Sequence, residues 1–595
     1  MSNEPTSGLS KLRLSAARGD RRLLKGYGPL AALLVAFVLM AVLVPTVAPT
    51  QDVVHETRTE TGGAGSTGGT TTGTTAPTSS GTAQSAGATG GSTSTGSGTS
   101  TGSGSGGVKT GSSTSQTPGK TGACGGQTLQ VPGDPYSPPC IAFSGSNGGA
   151  TSPGVTGSEI NISYRLPQGS ESFQQTLAQL GGADITDTTA DIERTINALA
   201  TYFDNHFQFY GRKLNIEYFN GQGSETNELE GSGQQEADAD AVTAAQQLHA
   251  FAELNGTTEP YDVALAGQHV VSFGAPYLSS SFMGQYAPYM WSIDPECNDV
   301  DLVTTNFALK DLAGGNATYA GGSLQGKPRK IAVIAPSNPW YQACAQVGEQ
   351  AAAAAGYPLA ANIQYTLDLS TESSQAATII SELQNDGVTT VICGCDPVMP
   401  VFLTSRAQEQ GYSPEWIVAG VALTDTDIVG QLFQQSEWSR AFGVTFNGPI
   451  LPKEDTFGYA AYKSIDPSSE PANAVDLIYE QMYEMAIGIQ MAGPDLTPQN
   501  MENGFRQYTM AQPGASNALY GTWSFPTGHF TPQSSYAIIY WDANKTSPYN
   551  GQLGAYTIAS PYYSTSQPPP STLPLPSNFP ITPQNPNAGG GSGSG

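Results

Sequence analysis

Between residues 159 and 545 the chain alternates two hydrophobic rhythms. EINISYRL (159–166) places apolar side chains at every second position, the period of a strand. Over 187–209 the spacing changes to Ile192, Ile196, Leu199 and Phe203, one face of a helix. KLNIEYF (213–219) reads as a second strand, 234–254 as a second helix and DVALAG (262–267) as a third strand. Strand and helix in strict alternation predict a parallel sheet with right-handed crossovers.

The rhythm restarts at KIAVIAP (330–336), a strand followed by an Ala-rich helix over 339–356. Further strands are predicted near 361–367, at VTTVICG (388–394), EWIVAG (415–420) and AFGVTFNG (441–448), with helices at 371–386 and 398–410. A long helix over 473–493 carries Val475, Ile478, Met482, Met485 and Ile489 on one face. GTWSF (521–525) and SYAIIYWD (535–542) read as two closing strands. About 440 residues exceed the usual size of one core, so two lobes are expected.

Outside this region the pattern differs. Residues 30–48 form one apolar run of bilayer-spanning length. Before it, six Lys/Arg against two acidic residues mark a cytoplasmic N-terminus. A cleaved signal peptide is the alternative, but the long charged leader and the lack of a small-x-small cleavage site favour an uncleaved anchor. No cysteine follows that would take a lipid. Residues 57–122 are almost wholly Gly, Ser and Thr, which cannot bury enough apolar surface to fold, and make a tether of roughly 45 Å mean span. Residues 567–587 are Pro-rich and 589–595 Gly/Ser, read as an extended or disordered tail.

The net charge is −26, and setting aside the +4 leader leaves −30 on the rest. So acidic a surface repels phosphate backbones and argues against nucleic acid as a partner.

Little in the chain points to catalysis. Of five histidines, His55 is in the tether, His206 and His249 fall on amphipathic helices, and His529 in a turn; only His269, after the expected third strand, suits a cleft. No H-x-x-x-H, S-x-x-K or Walker-type loop occurs, and the G-x-S-x-G at 98–102 falls in the Gly/Ser/Thr tether, not between a strand and a helix. The acidic clusters at 181–193 and 236–240 suit helix starts and solvated faces. VALTDTDIVG (421–430) lacks the glycine and closing glutamate of a calcium loop. The chain is therefore read as a non-enzyme with no metal or other cofactor.

The order of elements resembles the extracytoplasmic solute-binding proteins of the leucine/isoleucine/valine-binding, type I periplasmic-binding family. The stretches that carry the resemblance are PGVTGSEINISYRLP, GKPRKIAVIAPSNPWYQACAQVGEQAAAAAGY, GTWSFPTGHF and SYAIIYWD, and GDPYSPPC looks like the leader loop of actinobacterial members. It spans roughly 153–545.

The resemblance implies two doubly wound α/β lobes joined by crossover strands, with a ligand between them at the carboxyl ends of the strands. Lobe one would comprise 155–290 and 455–517, and lobe two 291–454 and 518–545. Before them would come a basic segment (1–28), a transmembrane anchor (29–49), the tether (50–122) and a disulfide-bearing leader loop (123–154). A Pro/Gly-rich tail (546–595) would follow. The implied function is capture of a small polar solute, such as an amino acid, amide or peptide, by a single-pass plasma-membrane protein. Its partners would be the solute and permease subunits of an ATP-driven importer. The alternative is a surface sensory or interaction domain without transport.

Matching the family's ligand loops implicates Leu166, Pro167 and Gln168, then Asn220 and Gln222, then Gln268 and His269. From lobe two come Asn338, Trp340, Tyr341, Asp396, Val421 and Thr424. Amino-acid binders of the family carry a Ser/Thr stretch after the third and fourth strands. Here Ser279, Ser280 and Ser281 are present in a different framing, AGQHVVSFGAPYLSSSF, with Ser280 the candidate contact.

Six cysteines in an exported chain predict three disulfides. Cys124 and Cys140 are natural partners. Cys393 bonded to Cys395 would close a small strained ring, so separate bonds to Cys297 and Cys344 are expected, in either pairing. The C-x-C spacing does not suit zinc.

Overall fold

A computed structural model describes residues 124–169, 187–508, 521–570 and 572–584. The basic segment, apolar run and tether expected over 1–122 lie outside these residues. Among the described residues no helix is long and apolar enough to cross a membrane.

The alternating residues of 159–166 form β1 (Glu159–Gln168), which pairs in parallel with β2 (Lys213–Ser224), Ile160 beside Leu214 and Ile162 beside Ile216. The helix between them, Thr189–His206, starts on a reciprocal cap in which Thr188 and Asp191 satisfy each other's backbone. Three short strands complete the sheet: β3 (Ala252–Glu253), β4 (Val271–Phe273) and β5 (Met290–Trp291). The order is β2-β1-β3-β4-β5, all parallel.

The expected strand at 262–267 is a helix, Glu259–Gly267. Pro260 in its first turn and the acidic Glu259 and Asp262 there favour a helix start, and Tyr261 and Leu265, four residues apart, bury one face. The strands it displaced from view are two and three residues long, too short for a visible period. The helix expected over 234–254 is correspondingly shortened, to Gln234–Val242 and one π-turn, because Ala252 and Glu253 join the sheet.

The second sheet is built from β6 (Ile331–Pro336), β7 (Ala361–Tyr365), β8 (Thr390–Cys393), β9 (Glu415–Val418) and β10 (Ala441–Thr445). Its parallel strands run in the order β10-β9-β8-β6-β7. Then β11 (Ser535–Thr546) and β12 (Leu553–Ile558) add antiparallel. Ile334, Val391 and Trp416 pack on one face and Ile392, Ile417 and Phe442 on the other, the two-sided burial of a parallel sheet.

Each lobe draws on distant segments. The first core joins Ile160, Phe203 and Met290 to Met482, Met485 and Phe505 of the helices Val475–Ala492 and Pro498–Gln507. It also takes in Trp523, Phe525 and Phe530, so 521–530, expected in lobe two, packs with lobe one. The expected strand at 521–525 is reduced to one bridge, Trp523 to Gln533. Beside it, His529 lies 2.8 Å from Glu296, whose carboxylate also accepts the Phe530 N–H at 2.7 Å. These bonds hold two of the inter-lobe crossovers side by side.

The expectation of a loose tail from 546 is also corrected. Beyond β12, Leu573, Leu575, Phe579 and Ile581 pack on the outer face of the second sheet, with Phe579 5.2 Å from Tyr319 and 5.7 Å from Phe442. Prolines give up little entropy when fixed, so a few apolar contacts suffice to dock the run. The leader loop is ordered by a Cys124–Cys140 disulfide and by Tyr136, buried 5.0 Å from Trp523.

Candidate functional site

In both sheets the parallel strands run toward a shared cleft, so the turns leaving their carboxyl ends line it. Lobe one contributes Glu225, Thr226 and Leu229 after β2, Thr257 after β3, and Pro276 and Tyr277 after β4. Asp294 follows β5. From lobe two come Tyr341, Leu367 and Leu369, Glu372, the turn Gly394–Pro397 after β8, and the turn Ala419–Leu423 after β9. Val300, Val333 and Ile392 make an apolar floor. The exposed Leu423 and Leu477 stand at its margin.

The lobes touch across this cleft. Asn338 Nδ2 donates to the Leu229 carbonyl at 2.9 Å. Gly231, at φ 84°, lies so close to Trp340 that a Cβ there would sit 3.3 Å from the indole. The Tyr277 hydroxyl is bonded to the Asp294 carboxylate and to the backbone of Ala422. Three non-glycine residues here hold left-handed backbone: Tyr277 (φ 43°), Ala422 (φ 48°) and Leu423 (φ 60°). Such conformations cost about 1–3 kcal/mol each and persist where the surroundings impose them, commonly at ligand sites.

Two sets of buried acids flank the cleft. Arg165, fully buried, holds Glu228 through two bonds of 2.8 and 2.9 Å and Asp240 at 3.3 Å, its guanidinium 3.6 Å over the Tyr261 ring. This cluster fixes the short helix Glu225–Leu229 to β1 and so sets the position of Glu225. The second set has no cation. Glu372, at the first position of the helix Glu372–Asp386, is 0% exposed, and neither carboxyl oxygen has a hydrogen-bond partner. Burial, with Asp396 and Asp368 nearby, pushes its carboxyl up to about 9. Asp396 is better served: it bonds the Tyr365 hydroxyl and accepts the N–H groups of Val398 (2.7 Å) and Met399 (3.2 Å). Burial raises Asp294 and Asp301 to about 7 each.

The residues expected from sequence fall into three groups. Tyr341, Asp396 and Val421 line the cleft. Asn338 and Trp340 form the lobe-to-lobe contact at its margin, and Thr424 lies buried behind it, bonded to the Val421 carbonyl at 2.6 Å. The rest are elsewhere. Gln168, Asn220 and Gln222 are exposed, Gln168 reaching only the Gly221 carbonyl at 3.5 Å. Ser280 opens a helical turn bonded to Asn298. Gln268 and His269 are corrected outright: with 259–267 helical, they precede β4 at the amino end of the sheet, away from the cleft, and Gln268 pairs with Gln246. The true loops there are 254–258 and 274–277.

Sequence reasoning missed Glu225, Tyr277, Asp294 and Glu372. Glu225 opens a helix directly after β2 and Glu372 opens the helix that follows β7, positions the strand pattern marks but the residue type does not.

The cysteines pair as Cys124–Cys140, Cys297–Cys344 and Cys393–Cys395. The last two correct the expected separate partners. Cys297 and Cys344 lie on neighbouring helices, Cα atoms 5.8 Å apart, and the turn at Gly394 brings Cys393 and Cys395 to 5.1 Å, both within bonding reach. Cys297, Cys344 and Cys395 line the cleft.

No protein-family model and no curated protein matches the chain. Among solved structures it is similar to a fatty acid ABC transporter substrate-binding protein from Thermomonospora curvata, at 15% identity and a TM-score of 0.47, over 71% of this chain and 98% of that one. A solute-binding protein of an ABC transporter from Rhodopseudomonas palustris BisB5, in complex with 3,4-dihydroxy benzoic acid, shares 11% identity at a TM-score of 0.48, over 69% of this chain and 99% of that one. A possible leucine/isoleucine/valine-binding protein from Rhodopirellula baltica SH 1 shares 10% at 0.45, over 67% and 96%. These likenesses are of fold. By the strand orders of its own two sheets, the chain has the two-lobed type I periplasmic-binding fold, the architecture of the substrate-binding proteins it is similar to.

Proposed function

We propose that this protein captures a small solute in the cleft between its lobes, outside the cytoplasm, and delivers it to an ATP-driven importer. The observation that carries the reading is the cleft itself. Both sheets aim their carboxyl ends into one cavity with an apolar floor and a few directed polar groups, the usual make-up of a small-molecule site. Strained backbone at Tyr277, Ala422 and Leu423 adds support. Closure would proceed by hinge motion about the crossovers.

Export is supported by six cysteines that all pair. The basic segment and apolar run would hold the chain in the plasma membrane, with the Gly/Ser/Thr tether as spacer. Binding rather than catalysis suits a cleft whose lining, among the described residues, holds no histidine and no serine.

The test is a thermal-shift screen of the purified full-length protein against amino acids, peptides, amides, amines, sugars and organic acids. A solute at 100 times its Kd should stabilise the fold by about 2.7 kcal/mol, a shift of several degrees. No shift across the whole panel, from ligand-free folded protein, would count against capture and favour a surface interaction domain.

A further inference from the structure

Among the described residues that line the cleft there are five carboxylates, Glu225, Asp294, Asp301, Glu372 and Asp396, and no lysine, arginine or histidine. Their environments differ. Asp396 spends its oxygens on Tyr365 and the helix start at Val398 and Met399. Asp294 is bonded to Tyr277. Glu372 is fully buried and neither oxygen is bonded, although it borders the same cavity. A buried carboxyl with nothing to bond is costly unless something arrives to satisfy it.

Charge decides what can arrive. An anionic solute would enter a wall of acids with no cationic side chain to meet it. A zwitterionic amino acid would have its ammonium matched and its carboxylate opposed. An amine would let Glu372 ionise against it, and the neighbouring Asp396 would add to the attraction. Val300, Val333, Ile392 and Leu367 offer the remainder of such a molecule an apolar bed, with Tyr277 and Tyr341 as aromatic walls.

We propose that the cleft takes an organic cation with an apolar body and no acidic group, an arylalkyl amine in class, its ammonium seated at Glu372. This rests on the solute-capture reading and names its ligand class.

The experiment is calorimetric titration of the purified full-length protein at pH 7 with four probes of one skeleton: phenethylamine, phenylalanine, phenylacetate and 2-phenylethanol. Phenethylamine should bind at least tenfold tighter than each of the others. Glu372→Gln should keep the fold, weaken phenethylamine at least tenfold and leave 2-phenylethanol unchanged. Glu225→Gln, at a half-buried site, serves as a second variant if Glu372→Gln fails to fold, with a smaller loss expected. Equal or tighter binding of phenylacetate, phenylalanine or the alcohol would overturn the ligand class while leaving capture intact. So would an amine preference that neither variant changes. If none of the four binds but another solute of the wider panel does, the class falls alone. If nothing binds in either set, capture falls with it.

Discussion

Arg165 and Glu372 occupy opposite sides of the cleft and are equally hidden from water, yet they sit in contrasting company. Around Arg165, one guanidinium is matched to Glu228 and Asp240, and the acids Glu253 and Asp262 are supplied with donors from Ser163, Tyr261 and Ser272. Around Glu372 there are further acids and no donor. In the first arrangement the chain itself supplies a cation and donors, leaving Arg165 Nε and Asp262 Oδ2 unbonded, and the cluster positions a helix. The second is complete only with a molecule the chain does not contain. Burial of charge by itself therefore says little about function; whether the chain supplies the compensating group says much.

The largest effect expected from breaking this contrast is at Arg165. Arg165→Leu strands Glu228 and Asp240 in the interior and should cost about 3–5 kcal/mol of stability, read by chemical denaturation, because the lost partner leaves buried charge behind. Surviving folded protein should keep its order of ligand preference.

Next is pH. Glu372 is held up to about 9, against an ordinary value of 4.5, by burial and by Asp396 and Asp368, while the Arg406 guanidinium bonds Ser373 beside it at 3.2 Å and Glu409 at 2.8 Å. The folded state thus binds more protons than the unfolded one between those values, so stability falls as pH rises through that window. Asp294 and Asp301, held near 7, add to the decline between about pH 4 and 7. Melting temperature should therefore drop from pH 5 to pH 9, and Glu372→Gln should flatten the upper part of the drop. An unchanged slope would mean that Glu372 titrates normally. Arg165→Leu should not flatten it.

A smaller effect is expected at Tyr277. Tyr277→Phe removes the donor to Asp294 and the contact with Ala422, and should cost about 1 kcal/mol in denaturant. The smallest is Ala422→Gly. Relief at φ 48° should slightly outweigh the added freedom of the unfolded chain, raising stability by a few tenths of a kcal/mol. A loss there would show that the Ala422 methyl packs more than it strains.

The same contrast explains what could be read from sequence. The strand 159–166 was legible because it alternates, 330–336 and 415–420 because they are short apolar runs between polar or glycine-bearing turns, and the helices because Ile192 to Phe203 or Val475 to Ile489 repeat a face. β3 and β4 were not, since two or three residues express no period and Glu253 is a buried acid where apolar residues are expected. That one error displaced the candidate site to Gln268 and His269. Tyr341, Asp396 and Val421 were found because they follow strands that were placed correctly. Glu372 was invisible for another reason: a glutamate opening a helix is ordinary, and it is set apart only by lacking a partner while bordering the cleft, since Glu484, equally buried and unbonded, does not line it. The Pro-rich run after 566 misled because its composition resembles a spacer, while four apolar residues within it decide its fate.

The first core is assembled from residues near 136–291 and again from 461–530, with all of the second sheet's parallel strands encoded between them. A chain emerging from the ribosome must therefore present an unfinished first lobe, its Phe203 and Met290 uncovered, while some 170 residues of the second are still being made. The second lobe in turn waits for β11, β12 and the docked proline segment, encoded later still. Neither lobe can mature before the other has nearly emerged, so the two halves that close on a solute must also acquire their folds together, and the long wait is the period in which this protein most needs shelter from aggregation.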